Sequence, residues 1–192
     1  MSLRIVANWK LNGSKEFNQE WAHEFFKHFD GSNFSSLGIA PAALYIDDLK
    51  SALSNCGIEI GAQNIDAEEK GARTGQISAS MFKDLGCNFC VIGHSERRIL
   101  FNEGSEIICR KLIQAHRNSL IPILCIGETA EENNANDTFD VLNQQIVGAL
   151  QGITQLKSLI IAYEPIWAIG SGKIPNPKEV NSIHEMIKDV VQ

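Results

Sequence analysis

The hydrophobic pattern of this chain consists of short apolar runs, separated by longer segments in which apolar residues recur at helical spacing. The short runs are rich in Ile, Val, Leu and Ala and are continuous rather than alternating, which is typical of parallel strands covered on both faces. They predict six strands, at residues 4–7, 37–40, 59–62, 89–92, 121–125 and 159–163.

The segments between these strands carry start and stop signals of helices. Ser14 is a suitable N-cap for the first helix, and Asn176 followed by Pro177 marks the start of the last one. Gly57 and Gly86 are suitable stops for the second and third helices. The pattern predicts helices at residues 15–28, 44–55, 78–85, 106–118, 139–150 and 177–192.

Six strands that each precede a helix predict one α/β domain over residues 1–192, with a parallel sheet and right-handed crossovers. Two architectures have this order: an open doubly wound sheet and a (β/α)8 barrel. A glycine-rich nucleotide-binding fingerprint after the first strand would favour the open sheet. Residues 8–13 read Asn-Trp-Lys-Leu-Asn-Gly instead, so that fingerprint is absent.

Composition narrows the classes of partner. The chain has 192 residues and a formal net charge of -6 without a block of Lys or Arg, so neither nucleic acid nor an anionic membrane is expected as a partner. No segment approaches the roughly 20 apolar residues of a membrane span, and the apolar run at the N-terminus is too short for a signal peptide. Cys87 and Cys90 have C-x-x-C spacing, but without a second pair they favour buried reduced thiols over a zinc or redox site.

Polar side chains follow the predicted strands at their carboxyl ends, where parallel α/β folds bind ligands. Each has an ordinary explanation: Lys10 as a solvated lysine, His94 as a structural histidine, and residues 96–98 as a surface ion-pair cluster. Together they bring an ammonium, an imidazole and several carboxylates to one expected edge, which favours a functional site. The residues are Asn8, Lys10, Gln63, Asn64, Asp66, Gly93, His94, Ser95, Glu96, Arg97, Arg98, Gly127, Glu128 and Glu164.

Glu164 follows the sixth strand, and residues 165–173 form a loop with a proline at its start and two glycines near its end. A base beside a movable cover suits proton abstraction away from water, although a capping acid with a plain surface loop fits this segment about equally well. His94 precedes a short helix start, where the cationic imidazole is disfavoured and the neutral ring can donate to a carbonyl oxygen. With Lys10 compensating negative charge, these residues predict proton abstraction next to a carbonyl, through an enediol(ate).

Six blocks of sequence resemble the triosephosphate isomerase family, in that family's order and at its spacing. The resemblance implies a (β/α)8-type barrel and the interconversion of dihydroxyacetone phosphate and D-glyceraldehyde 3-phosphate, without cofactor or metal. A glutamate base and a neutral histidine are that family's known pair, so the reaction above is not an independent derivation. The blocks are residues 8–13, 61–64, 71–75, 93–98, 125–128 and 163–173.

The resemblance also implies roles for single residues. Glu164 matches the family's catalytic base, His94 matches its electrophile, and Lys10 matches the cation near the substrate. Asn8 matches a residue that helps to position the substrate, and Gly170 matches a backbone amide of the closing loop that contacts phosphate. The sequence of this loop disfavours another phosphate-binding barrel isomerase.

Thr74 matches a loop residue that reaches into the neighbouring subunit's site, which implies a homodimer. The family further implies a cytoplasmic enzyme of glycolysis and gluconeogenesis whose partner is a small phosphorylated triose. Leu11 and Ser171 replace the family's more usual methionine and threonine, and both changes are minor.

The largest departure from the family is the number of β-α units, six where a barrel has eight, which corresponds to roughly 60 residues. The remaining units of a barrel carry much of the phosphate site, and without them the sixth strand is expected to have an unpaired edge. A catalytically inert short form that serves as an assembly or binding module is therefore the alternative to an enzyme.

We predict that the 192-residue polypeptide by itself is a poor isomerase, because remote phosphate binding energy normally supports chemistry at the carbonyl. A coupled isomerase assay on the purified polypeptide measures this. Turnover near that of a full-length family member would contradict the prediction.

Overall fold

The structure, a computed structural model, describes residues 4–29, 36–53 and 56–191. The chain divides into two compact units, Met1–Val91 with Gln114–Pro122 and Ile92–Ile113 with Ile123–Gln192. Strands and helices alternate along both, so the predicted β-α order is confirmed. The single domain over residues 1–192 stays a prediction.

The strands within the described residues are parallel to their neighbours, and their bounds agree with the predicted ones to within one residue. They are β1 (Arg4–Asn8), β2 (Ser36–Ala40), β3 (Glu59–Ala62), β4 (Phe89–Ile92), β5 (Ile121–Ile126) and β6 (Ile160–Tyr163). In the first unit β1 pairs with β2, β2 with β3 and β3 with β4. In the second unit β5 pairs with β6, with Ile123 opposite Ile160. Parallel pairing places the carboxyl ends of paired strands at the same edge of each sheet.

Helices follow the strands, and the two predicted N-caps form. The Ser14 hydroxyl accepts a hydrogen bond from the Phe17 N–H at 3.0 Å, and the Asn176 side chain accepts one from the Lys178 N–H at 3.0 Å. Within the described residues, no helix is long and apolar enough to cross a membrane. The helices are α1 (Lys15–His28), α2 (Ile46–Ala52), α3 (Ala79–Asp84), α4 (Ser95–Phe101), α5 (Ser105–Arg117), α6 (Ala130–Asn134), α7 (Thr138–Leu150) and α8 (Pro177–Val191).

Besides α4, of which only the start was predicted, the structure differs from the predicted helices in two places. The segment predicted as one helix at 44–55 begins as a 3-10 turn, Ala43–Tyr45, because Ala42 has no side chain that caps a helix, and α2 then ends at Ala52. Residues 54 and 55 lie outside the described residues. The short helix α6 was not predicted, although Thr129 and Glu132 form a capping box that is readable in the sequence.

The core of the first unit is built around Phe89, the fully buried first residue of β4. A Cβ atom on Gly61 would lie 2.2 Å from the Phe89 ring, and one on Gly38 would lie 2.8 Å from it. Both distances are too short for a real side chain, so glycine on β2 and on β3 leaves the space that the ring fills.

The core of the second unit is built from β5 and the helices that follow it. Leu124 and Ile126 of β5 are buried, as are Leu142 and Ile146 of α7. Each fully buried Leu or Ile side chain stabilises the fold by about 1.5–3 kcal/mol relative to an exposed one. This packing makes the end of β5 a rigid support for the residues that follow it.

We predict that Gly61→Ala destabilises the chain by about 1–3 kcal/mol or more, because the new methyl group overlaps the Phe89 ring. Urea unfolding of the parent, the two single variants and the Gly61→Ala/Phe89→Leu double variant measures the coupling. The double variant should cost less than the sum of the single changes. A Gly61→Ala chain as stable as the parent would contradict this account of the core.

Candidate active site

The end of β1 holds Lys10 in an unusual backbone conformation. Lys10 has φ of 53°, in the left-handed region that non-glycine residues rarely adopt. The Asn8 side-chain oxygen accepts a hydrogen bond from the Lys10 N–H at 3.0 Å. The Gln63 amide donates to the Lys10 carbonyl at 2.9 Å and to the Ala40 carbonyl at 2.8 Å. The ends of β1, β2 and β3 are thereby joined at Lys10, which offsets the backbone strain.

The loop after β3 is organised around Asp66, a nearly buried carboxylate. Asp66 accepts a hydrogen bond from the Glu68 N–H at 2.7 Å and forms an ion pair with Arg73 at 2.8 Å. Residues 71–76, which include Thr74, are exposed. The loop therefore presents Thr74 to the surroundings from a base that Asp66 holds in place.

His94 begins α4, as the sequence indicated. It is 9% exposed, and its carbonyl accepts hydrogen bonds from the N–H groups of Arg97 and Arg98. Its ring Nδ1 accepts a hydrogen bond from the Glu96 N–H at 3.3 Å. The same Nδ1 lies 3.6 Å from the Glu96 carboxylate, so Glu96 occupies one edge of the ring and Nε2 forms the other edge.

Glu164 lies beside His94 in the second unit. The Ser95 hydroxyl donates to Glu164 Oε2 at 2.9 Å, and His94 Nε2 lies 3.6 Å from the same oxygen. The last distance is too long for a hydrogen bond, so the Nε2–H remains available to another acceptor. The side chains of His94 and Glu164 are only 11% and 16% exposed. The structure thus brings an imidazole and a carboxylate together in a place that is largely shielded from solvent.

The main chain at the ends of β5 and β6 determines where the Glu164 side chain begins. The Glu164 N–H donates to the Ile126 carbonyl at 2.7 Å, and the Ile166 N–H donates to the Glu128 carbonyl at 3.2 Å. A Cβ atom on Gly127 would lie 1.8 Å from the Glu164 carbonyl oxygen. Only glycine allows the two backbones to approach this closely.

The carboxylate of Glu128 is fully buried and joins the residues on both sides of Glu164. Its Oε1 accepts hydrogen bonds from the Tyr163 hydroxyl at 2.9 Å, the Trp167 indole at 2.7 Å and the Asn133 amide at 3.2 Å. Burial, and then the Glu128 charge, raise the pKa of Tyr163 above its ordinary value. The sequence analysis placed Glu128 at a strand end but missed this role. The readable signal was a tyrosine and a tryptophan flanking Glu164, because both need a hydrogen-bond acceptor when buried.

The predicted movable loop begins with a short 3-10 turn, Ile166–Ala168, and continues as exposed residues 169–174. Gly170 and Gly172 have φ of 69° and 73°, conformations that favour glycine. The anchored start and the exposed remainder match a loop that moves about a fixed end.

The charged residues after His94 have structural partners. Arg97 forms an ion pair with Glu103 at 2.6 Å. Arg98 is half-buried, and desolvation lowers its pKa; it donates to the Gly93 carbonyl at 2.7 Å and to the Cys125 carbonyl at 2.9 Å. Arg97 thus pairs with a buried carboxylate outside residues 96–98, so the surface ion-pair interpretation does not describe it, and Arg98 ties Gly93, just after β4, to Cys125 of β5.

The described residues include all five cysteines, and acidic and histidine side chains that could ligate a metal ion. No group of three or more His, Cys, Asp and Glu side chains within them is arranged to hold a metal ion. Cys87 and Cys90 are buried free thiols. The burial that was predicted for these two thiols is confirmed.

Comparison with known proteins matches this chain to a protein family. The family model for triosephosphate isomerase matches residues 3–192. The chain is 39% identical to the triosephosphate isomerase of Nitrosococcus oceani, over 97% of this chain and 76% of that protein. It is 41% identical to that of Erwinia tasmaniensis and 42% identical to that of Enterobacter cloacae, over 96% of this chain and 73% of each relative.

We predict that iodoacetamide at pH 8 labels Cys56 and Cys109, which are half-buried, before Cys87, Cys90 and Cys125, which are buried. Burial raises the pKa of Cys87 to about 11 and raises that of Cys125, so both remain protonated and unreactive at this pH. Peptide mapping by mass spectrometry gives the order of labelling. Early modification of Cys87 or Cys90 would show that the C-x-x-C pair is reactive.

Proposed function

Because the chain belongs to the triosephosphate isomerase family, we propose that its own Lys10, His94 and Glu164 carry out the interconversion of dihydroxyacetone phosphate and D-glyceraldehyde 3-phosphate. The observation that carries this assignment is that His94 Nε2 lies 3.6 Å from Oε2 of Glu164, with both side chains largely buried. A base and a hydrogen-bond donor at this spacing can address neighbouring atoms of one small substrate.

Glu164 acts as the base. It exchanges its hydrogen bond with Ser95 for the substrate and removes a proton from C1 of dihydroxyacetone phosphate. The electron pair of that C–H bond forms the C1–C2 double bond, and the C2 carbonyl oxygen becomes the enediolate oxygen. Return of a proton from Glu164 to C2 gives the aldehyde after the oxygen-bound proton has moved from O1 to O2.

His94 acts as the electrophile. Its Nε2–H donates to the substrate carbonyl oxygen, where negative charge develops, while the Glu96 N–H holds Nδ1 and fixes the tautomer. A neutral donor that is already oriented stabilises the enediolate without reorganisation of water.

Lys10 supplies the positive charge for the substrate, and Asn8 holds the backbone that carries it. Support for this assignment comes from the strained φ of Lys10 and from its fixation by Gln63, because such strain is typically retained at functional sites. Family membership and the location of binding residues at carboxyl ends of parallel strands support the same assignment.

The loop at residues 165–173 closes over the substrate, and the Gly170 N–H contacts its phosphate. The left-handed backbone at Gly170 and the exposure of residues 169–174 support this role. Closure excludes water from the enediolate, and Glu128 keeps the start of the loop in place through Trp167.

The enzyme is proposed to act as a cytoplasmic homodimer, in which the exposed loop around Thr74 contacts the partner subunit. Leu11 and Leu44 support an interface on the first unit, since they are 98% and 87% exposed despite being large and apolar. The inert assembly module is not favoured, because a module of that kind has no need for Lys10, His94 and Glu164 together.

We predict that Glu164→Asp lowers kcat by roughly 100-fold with little change in KM, because the shorter side chain moves the carboxylate by about 1 Å. Glu20→Asp, at an exposed position of α1, is the matched control and should leave both constants unchanged. Steady-state kinetics in both directions measure the effect as a ratio to the parent chain. Unchanged kcat in the Glu164 variant would remove this residue from the role of base.

A further inference from the structure

Gln145 of α7 makes two hydrogen bonds to the backbone of a single residue. Its side-chain Nε2 donates to the Gly127 carbonyl at 2.9 Å, and its Oε1 accepts from the Gly127 N–H at 3.0 Å. A primary amide is suited to this pairing because it carries a donor and an acceptor side by side. Gly127 is buried and lies just after β5, so its polar backbone groups need partners that the strand no longer supplies.

Gly127 is also the residue against which the Glu164 backbone rests. The two residues that flank it, Ile126 and Glu128, accept hydrogen bonds from the N–H groups of Glu164 and Ile166. Between these two bonds, Gly127 approaches the Glu164 carbonyl so closely that no Cβ atom would fit. The position of the Gly127 peptide thus sets the position of the Glu164 main chain.

We propose that Gln145 is a positioning residue for Glu164, acting through the Gly127 backbone; this inference rests on the role proposed for Glu164 as the base. Glycine is the residue with the greatest backbone freedom, and two hydrogen bonds from a helix remove that freedom at this point. Without them, two buried polar groups lose their partners and the peptide can rotate against the Glu164 carbonyl. A displacement of about 1 Å at the base is enough to slow the reaction by roughly 100-fold.

The chain supplies a matched control one residue away. Gln144 lies on the same helix, is exposed, and belongs to the same residue type. Gln145→Met removes both hydrogen bonds while keeping the length and helix propensity of the side chain. Gln144→Met makes the same change without touching Gly127. Gln145→Glu keeps an acceptor for the Gly127 N–H and loses the donor, so it should give an intermediate effect.

The test compares kcat, KM and the deuterium isotope effect on kcat of these three variants with those of the parent chain. With dihydroxyacetone phosphate deuterated at C1, Gln145→Met should lower kcat about 10-fold or more, leave KM within about twofold, and increase the deuterium isotope effect on kcat. The isotope effect rises because a displaced base makes proton transfer limit the rate. Gln144→Met should match the parent in all three values.

Two outcomes would overturn the proposal: parent-like kinetics in Gln145→Met, or a loss of turnover with an unchanged isotope effect, which a merely structural role would produce. If Gln145→Met does not fold, the intermediate values expected of Gln145→Glu decide in the same way. If the parent chain shows no turnover, the proposed function fails, and amide hydrogen exchange decides the positioning role separately. Faster exchange at Gly127 and Glu164 in Gln145→Met alone supports it, and unchanged exchange contradicts it.

Discussion

The candidate active site depends on one close contact between two backbone segments, where Gly127 meets Glu164 at the ends of β5 and β6. The Glu164 N–H donates a hydrogen bond to the Ile126 carbonyl at 2.7 Å, and the absence of a Cβ on Gly127 leaves room for the Glu164 carbonyl. The carboxylate therefore starts from a backbone that cannot shift without breaking a buried hydrogen bond. Since Pro165 begins the loop immediately afterwards, the proposed base stays fixed while its cover is free to move.

The same separation of fixed and mobile parts recurs in the two units. Lys10 is held in a left-handed backbone conformation by Asn8 and Gln63, at a cost of order 1–3 kcal/mol that the surrounding hydrogen bonds offset. Three donors to one oxygen of the fully buried Glu128 carboxylate offset part of the free-energy cost of its burial, whereas its Oε2 has no hydrogen-bond partner within the described residues. The loop at residues 169–174, in contrast, is exposed. Loops that close over a binding site are typically segments of low local stability.

Local pattern was sufficient for the six strands and for most of the helices, and it placed the candidate site residues at strand ends. The strand bounds follow from continuous apolar runs, and His94 and Glu164 were identified because each is a polar residue just past such a run. The hydrogen bonds that could not be predicted from the sequence are those between residues in different elements of the fold. The three donors to Glu128 lie between 5 and 39 residues from it along the chain, and Gln145 lies 18 residues from Gly127. No spacing rule predicts hydrogen bonds at these separations. Arg98 likewise looks like its neighbour Arg97 in the sequence, and only their tertiary partners, a carboxylate for Arg97 and two backbone carbonyls for Arg98, distinguish them.

The central claim is that one carboxylate, Glu164, removes a carbon-bound proton next to a carbonyl. Exchange of the C1 hydrogens of dihydroxyacetone phosphate in D2O, followed by proton NMR, detects that step even when overall turnover is slow. The account predicts that the parent chain introduces one deuterium at C1, and that Glu164→Gln reduces the rate to that of the uncatalysed reaction while Glu20→Gln does not. Absence of exchange with the parent chain, or equal exchange with Glu164→Gln, would contradict it.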